Sequence, residues 1–66
     1  MTVQVNGRPM ELPENATVAE LLARMGTGEQ RVAVEVNRRL ISRKEWAKQA
    51  LQPEDRVEVV NFVGGG

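Results

Sequence analysis

A β-hairpin is predicted at the start of the chain, and it constrains the fold more than any other feature of the sequence. Val3 and Val5 alternate with polar residues, as in a strand that buries one face. Asn6-Gly7 follows directly, and this dipeptide favours a type I′ turn, which needs positive φ at both central positions. The return strand is predicted from Arg8 to Leu12. Pro9 places that strand at an edge of the sheet, because proline has no amide hydrogen to donate.

A capped amphipathic helix is predicted next. Thr17 and Glu20 are spaced as a capping box, in which each side chain accepts the backbone amide hydrogen of the other residue. The apolar residues that follow repeat at helical spacing and define one face: Val18, Leu21, Leu22 and Met25. Gly26 can adopt the left-handed conformation that ends many helices. The helix is therefore predicted from Val18 to Met25.

The second half of the chain predicts further strands and a short helical turn. Alternating valines predict a strand from Val32 to Val36, followed by a turn at Asn37–Arg39 and a short extended piece. Ser42 to Glu45 has the pattern of a second capping box, which predicts a short helix or 3₁₀ turn with Trp46 as a packing anchor. The last strand is predicted from Arg56 to Phe62.

The order of these elements predicts an α+β fold. A hairpin followed by a helix must lay the apolar stripe of the helix across the sheet. The expected result is a β-grasp roll, a mixed sheet of about four or five strands with one main helix packed on one face and the other face toward solvent. With 66 residues the chain holds one domain, predicted as 1–62, followed by a flexible glycine tail at 63–66.

Composition disfavours several classes of function. Nine Lys and Arg balance nine Asp and Glu, whereas a nucleic-acid module usually has a basic excess. There is no Cys and no His, so a thiol nucleophile is missing, as are the commonest general base and the commonest metal ligand, and an independent enzyme is disfavoured. No apolar run is long enough to span a membrane and no signal peptide is visible, so a cytoplasmic location is expected.

The last predicted strand places two apolar residues on the open face of the sheet. If Val57 and Val59 face the helix, then Val60 and Phe62 point the other way. Two apolar side chains in one row, next to a flexible tail, are consistent with a partner-binding surface. The alternative is that a loop or the short helical turn covers them.

Gly64-Gly65-Gly66 closes the sequence. A glycine run is narrow and takes almost any backbone conformation. The four residues from Val63 reach about 13 Å when extended, at about 3.3 Å per residue. Such a segment suits a narrow tunnel in another protein, where the terminal carboxylate is an oxygen nucleophile toward an activated phosphate. The alternative is a frayed terminus without a function.

Several stretches of the sequence match one known pattern: Val3-Gln4-Val5-Asn6-Gly7, Thr17-Val18-Ala19-Glu20-Leu21-Leu22, Val34-Glu35-Val36-Asn37, Leu40-Ile41-Ser42-Arg43 with Trp46, Asp55-Arg56-Val57-Glu58-Val59-Val60 and Gly65-Gly66. By these residues the whole chain resembles the ThiS family, the sulfur carrier proteins of thiamin biosynthesis. The part from Val34 to Trp46 is similar to the family pattern A-x-N-x-x-I/V-V-P-R-x-x-W. Ser42 stands where the family often has proline, and Gly64 adds a third glycine to the usual pair.

The resemblance implies a ubiquitin-like β-grasp fold and a carrier role. An adenylating enzyme would use ATP and Mg²⁺ to convert the carboxylate of Gly66 to an acyl-adenylate, with Gly64 and Gly65 as the tail inside that partner's active site. A persulfide donor would then give a thiocarboxylate, and thiazole synthase would use its sulfur to build the thiazole ring. The chain itself would bind no cofactor and would be a protein cosubstrate, not an enzyme.

Other interpretations remain open at this stage. The small subunit of molybdopterin synthase and ubiquitin-related modifiers share the fold and the diglycine. A non-covalent interaction module would instead bind through the open sheet face or an edge strand. A local basic run is either a solvated surface or a docking surface for an acidic patch, and it consists of Arg38, Arg39, Arg43, Lys44 and Lys48.

Overall fold

A computed structural model describes residues 1–27 and 31–62 of the chain. Within these residues the chain forms a five-stranded sheet, one α-helix and one 3₁₀ turn. The elements in chain order are β1 (Thr2–Val5), β2 (Arg8–Glu11), α1 (Val18–Met25), β3 (Val32–Val36), β4 (Arg39–Ile41), the 3₁₀ turn (Arg43–Glu45) and β5 (Arg56–Asn61). The helix has the predicted bounds, Val18 to Met25. The last strand ends at Asn61, one residue before its predicted end at Phe62.

The sheet is mixed, as predicted, with the strand order β2-β1-β5-β3-β4. β1 and β5 run parallel, and the other neighbouring pairs are antiparallel. The strand that comes last in the sequence therefore lies at the centre. β2 is an edge strand, which confirms the position predicted from Pro9.

Both hairpins turn on two residues with positive φ. Asn6 and Gly7 have φ of 51° and 84° between paired β1 and β2. Asn37 and Arg38 have φ of 50° and 71° between paired β3 and β4. Positive φ at both central positions is what a type I′ turn requires, and its twist matches that of the strands it joins. Asparagine tolerates positive φ better than most residues, whereas arginine does not, so Arg38 lies in a backbone conformation that is unfavourable for its residue type.

The start of α1 satisfies all of its free amide groups. The Thr17 hydroxyl accepts from the Glu20 amide at 3.2 Å, and the Glu20 carboxylate accepts from the Thr17 amide at 3.1 Å, which confirms the capping box. The amides of Val18 and Ala19 donate to carbonyl oxygens of the segment that follows the 3₁₀ turn, at 3.0 and 3.1 Å. That segment therefore ties the helix start to the second half of the chain. Gly26 ends the helix with φ of 76°, as predicted.

The second predicted capping box is wrong. The Ser42 side chain makes no capping hydrogen bond, although Ser42 does precede the 3₁₀ turn. The tight turn explains the difference: the Glu45 amide donates to the Ser42 backbone carbonyl at 2.8 Å, so it is not offered to the Ser42 hydroxyl. The prediction of a short helix or 3₁₀ turn in this place is confirmed.

The core lies between α1 and one face of the sheet. The helix contributes Val18, Leu21 and Leu22, which are fully or almost fully buried. Trp46 is also buried, and its indole Nε1 donates to the Ile41 carbonyl at 3.1 Å, which confirms its predicted role as a packing anchor. The sheet contributes Val3, Val5, Val32, Val34, Val36 and Val57, and the connecting segments add Leu12, Ala16 and Leu51.

Candidate functional site

Strand β5 carries the residues that the sequence singled out for partner binding. Val57 is fully buried and Val59 is half-buried, so both face the helix side. Val60 is 57% exposed and Phe62 is 47% exposed. Within the described residues nothing covers this pair completely, and the two side chains remain available to another molecule. Their role in partner binding stays a prediction.

The glycine residues proposed for the chemistry lie outside the described residues. The predicted tail at 63–66, with Gly64 and Gly65 and the predicted modified residue Gly66, belongs to this part of the chain. The described part of the chain reaches Phe62, whose amide donates to the Arg31 carbonyl at 3.0 Å. This hydrogen bond continues the backbone pairing of β5 with the β3 side as far as Phe62.

The open sheet face combines apolar and charged side chains. Leu40, at 72% exposure, is the most exposed large apolar residue within the described part. Glu35 on β3 lies directly opposite Glu58 on β5, and both are exposed. Arg38 and Arg56 line the same shallow depression as these two carboxylates. The face therefore offers a charged depression beside the apolar Val60 and Phe62.

Two asparagine side chains hold β5, one at its first residue and one at Val59. Asn6 accepts a hydrogen bond from the Val59 amide at 2.8 Å and donates to the Val59 carbonyl at 3.2 Å. Asn37 accepts from the Arg56 amide at 2.9 Å and donates to the Asp55 carboxylate at 3.0 Å. The sequence assigned both asparagines to turns alone and did not reveal these contacts.

The carboxylates next to β5 serve the fold. Asp55 accepts from the Gln52 amide at 2.8 Å as well as from Asn37, so its side chain closes the turn before β5. Glu54 has a φ of 70° in that turn. Among residues 1–27 and 31–62, no group of three or more acidic, Cys or His residues is placed to hold a metal ion.

The basic run forms an exposed surface around the β3–β4 turn and the 3₁₀ turn. Arg38, Arg39, Arg43, Lys44 and Lys48 are all exposed. The Arg43 guanidinium lies over the Trp46 ring at 5.4 Å from its centroid, a cation–π distance. Arg43 thus has a structural partner in Trp46. The exposure of the five side chains fits a solvated surface as well as a docking surface for an acidic patch.

In the described part of the chain, no helix has the length and apolar character that a membrane crossing requires.

Comparison with known proteins identifies the family. The ThiS family model matches residues 3–66. The chain belongs to the ThiS family. The crystal structure of the thiamine biosynthesis protein ThiS from Geobacter metallireducens superimposes with a TM-score of 0.84 at 32% sequence identity, and the match covers 100% of both chains. This likeness confirms the predicted β-grasp fold.

Related sequences of this ThiS-family chain fall into two sizes. The sulfur carrier protein ThiS of Bacillus subtilis is 32% identical over 65 residues, which cover 97% of this chain and 98% of that protein. A thiazole synthase of Magnetococcus marinus is 38% identical over 66 residues, which cover 100% of this chain. The chain spans only 20% of the length of that thiazole synthase.

Proposed function

We propose that the chain is a sulfur carrier protein of thiamin biosynthesis in which Gly66 carries the sulfur as a thiocarboxylate. The observation that carries the proposal is the extent of the ThiS match, which runs from residue 3 through Gly64-Gly65-Gly66. The relatives of similar length that are called sulfur carrier proteins support it. The exposed pair Val60 and Phe62, just before the tail, supports a carrier that docks on other proteins.

The chemistry starts with an activated carboxyl group. A carboxylate oxygen of Gly66 attacks the α-phosphorus of ATP on an adenylating partner, and the bond to pyrophosphate breaks. The terminal sulfur of a persulfide then attacks the acyl carbon and AMP leaves. That attack forms a carbon–sulfur bond, and a thiol finally cleaves the sulfur–sulfur bond that came from the persulfide, which releases the thiocarboxylate and leaves a disulfide on the donor. The partners supply ATP, Mg²⁺ and the thiols, so this chain acts as a cosubstrate and not as an enzyme.

Thiazole synthase is the proposed recipient of the sulfur. Proteins called thiazole synthase contain a region similar to the whole of this chain. A carrier segment within such a protein would keep the sulfur donor at a high local concentration near the place of use. We place the reaction sequence in the cytoplasm, where ATP is available.

Intact-mass spectrometry tests the proposal. The chain is incubated with an adenylating partner of the ThiS pathway, ATP, Mg²⁺ and a persulfide source. The expected result is the mass increase that corresponds to replacement of one oxygen by sulfur. A variant that lacks Gly66 and a variant with one added residue after Gly66 should remain folded but show no increase. Normal loading of either variant would refute the proposal.

The same variants separate the carrier from a non-covalent interaction module. The exposed open face of the sheet is the observation that favours such a module. A module that binds through Val60 and Phe62 would tolerate a blocked C-terminus and would lose its partner only when these side chains change.

Co-purification with thiazole synthase, and not with a large subunit of molybdopterin synthase, would favour the thiamin pathway over the role of a small subunit of molybdopterin synthase.

A further inference from the structure

We propose that Asn6 is a positioning residue for sulfur loading, because its side chain holds β5, the strand that leads to the proposed reactive end of the chain. This inference rests on the proposed carrier function. Asn6 lies in the β1–β2 turn, and its two contacts with Val59 join residues 53 positions apart. The side-chain contacts described for Asn6 are with β5, so its effect on the reaction is transmitted through that strand.

The contacts of Asn6 continue the parallel pairing of β1 with β5 after β1 has ended. The Gln4 amide donates to the Asp55 carbonyl at 2.8 Å, and the Asn6 amide donates to the Val57 carbonyl at 2.9 Å. The next bond in this series would come from position 8 to Val59, but the chain has already turned away. The Asn6 side-chain amide donates to the Val59 carbonyl in its place, and its oxygen accepts from the Val59 amide.

Among the hydrogen bonds described above, those at Val59 are the last that reach β5 from the β1 side. Beyond Val59, the described backbone pairing of β5 lies on the β3 side: Val60 pairs with Ala33, Asn61 with Val32, and the Phe62 amide with the Arg31 carbonyl. The three residues from Val60 to Phe62 extend about 10 Å. The pairing keeps this segment aligned with β3, so a shift of β5 at Val59 is carried along the segment toward the tail, and misplacement of a reacting group by about 1 Å can cost about a hundredfold in rate.

The chain contains a matched control for this role. Asn37 has the same residue type, occupies the first central position of an equivalent two-residue turn, and also makes two side-chain hydrogen bonds to the β5 region. These bonds lie at Asp55 and Arg56, before the strand and at its beginning. Loss of the Asn37 contacts should loosen β5 at the end remote from Gly66.

Asn6→Gly and Asn37→Gly separate positioning from stability. Glycine adopts the positive φ of both turns, so each substitution removes the side-chain contacts and keeps the turn. Amide hydrogen exchange should accelerate at Val59 in Asn6→Gly and at Arg56 in Asn37→Gly. Both variants should have similarly lowered thermal midpoints, and the loading assay is run well below those midpoints.

The expected result is a loss of tenfold or more in the kcat/KM of sulfur loading for Asn6→Gly and a change below twofold for Asn37→Gly. Asn6→Asp keeps an acceptor for the Val59 amide and should show an intermediate loss. Equal losses in the two glycine variants would overturn the inference and leave Asn6 with a structural role alone, as would unchanged loading in Asn6→Gly. A wild-type chain that fails to load would instead refute the proposed carrier function, so the two failures are distinguishable.

Discussion

Truncation of Phe62 should weaken binding to the adenylating partner while it leaves the domain folded. Phe62 follows β5, is 47% exposed, and does not belong to the buried core. A phenylalanine side chain buries about 200 Å² when it is fully covered, so about 100 Å² is left for a partner to cover. At about 25 cal/mol per Å² this area corresponds to about 2.5 kcal/mol of association free energy.

Phe62→Ser removes most of that area. We expect a loss of about 2 kcal/mol, which corresponds to an increase of about 30-fold in Kd. Isothermal titration calorimetry with the adenylating partner measures this change directly. A urea denaturation curve checks that the free energy of unfolding falls by less than about 1 kcal/mol, as expected for a half-exposed residue outside the core.

Leu40→Ser is the matched control for this experiment. Leu40 is 72% exposed on the same open face, but it lies on the edge strand β4, two strands away from β5. That separation is about 10 Å at the usual spacing of strands. If affinity depends on the surface next to the tail, Leu40→Ser should change Kd less than threefold. A larger effect at Leu40 than at Phe62 would contradict the assignment of the docking surface to the end of β5.

Three predictions concern stability, and urea denaturation followed by the fluorescence of the single tryptophan measures each of them. Thr17→Val should lower the free energy of unfolding by about 1 kcal/mol, because the helix loses its capping hydroxyl; an unchanged curve would mean that the cap contributes nothing. Glu35→Lys should raise it by about 0.2–1 kcal/mol, because two opposed carboxylates become an ion pair with Glu58, and a gain that persists undiminished in 1 M salt would contradict this cause. Arg38→Gly should raise it by up to about 1 kcal/mol, because glycine relieves the left-handed backbone as Gly7 does in the first hairpin; a loss would show that the Arg38 side chain stabilises the turn.

Local features of the fold were predictable from the sequence because local interactions produce them. Asn6-Gly7 specifies a two-residue turn through the backbone angles that these residues tolerate. The helix runs from Val18 to Met25, between the caps Thr17 and Gly26, because capping acts within one turn. In β1, β3 and β5 alternation also separates the buried residues from the exposed ones, which is why the sequence places Val60 and Phe62 on the open face.

Long-range features were not predictable in the same way. The residues of β5 do not predict that this strand lies between β1 and β3, because hydrogen bonds with distant strands decide its position in the sheet. The failed capping box at Ser42 has a related cause. The pattern of residue types was correct, but the backbone there is held in a 3₁₀ turn whose own carbonyl takes the amide that a serine hydroxyl would cap. The structure of the chain around that position, not the residue pattern, determines which acceptor is used.

The asparagine contacts with β5 escaped prediction because a sufficient local reason already explained each residue. Asn6 and Asn37 both satisfy the demands of their turns, so the sequence offers no sign of a second role. That role joins Asn6 to Val59 across the sheet and Asn37 to Arg56 across 19 positions. A glycine in either place would serve the turn equally well, and only the second role favours an amide side chain.

The position of β5 makes the fold independent of the proposed reactive end. The strand lies between β1 and β3, and Val57 at its buried face is paired with Val5 on one side and Val36 on the other. A change before Val57 would break the sheet in the middle, whereas a change at Gly66 lies beyond the pairing described here. We therefore expect deletion of Gly66 to leave the thermal midpoint within about 2 °C of wild type while it abolishes sulfur loading, because a perturbation of about 1 kcal/mol would already shift the midpoint of so small a domain by about 4–8 °C. A drop of that size on deletion of Gly66 would mean that the terminal residue stabilises the fold, and that the reactive end and the folded body are not independent.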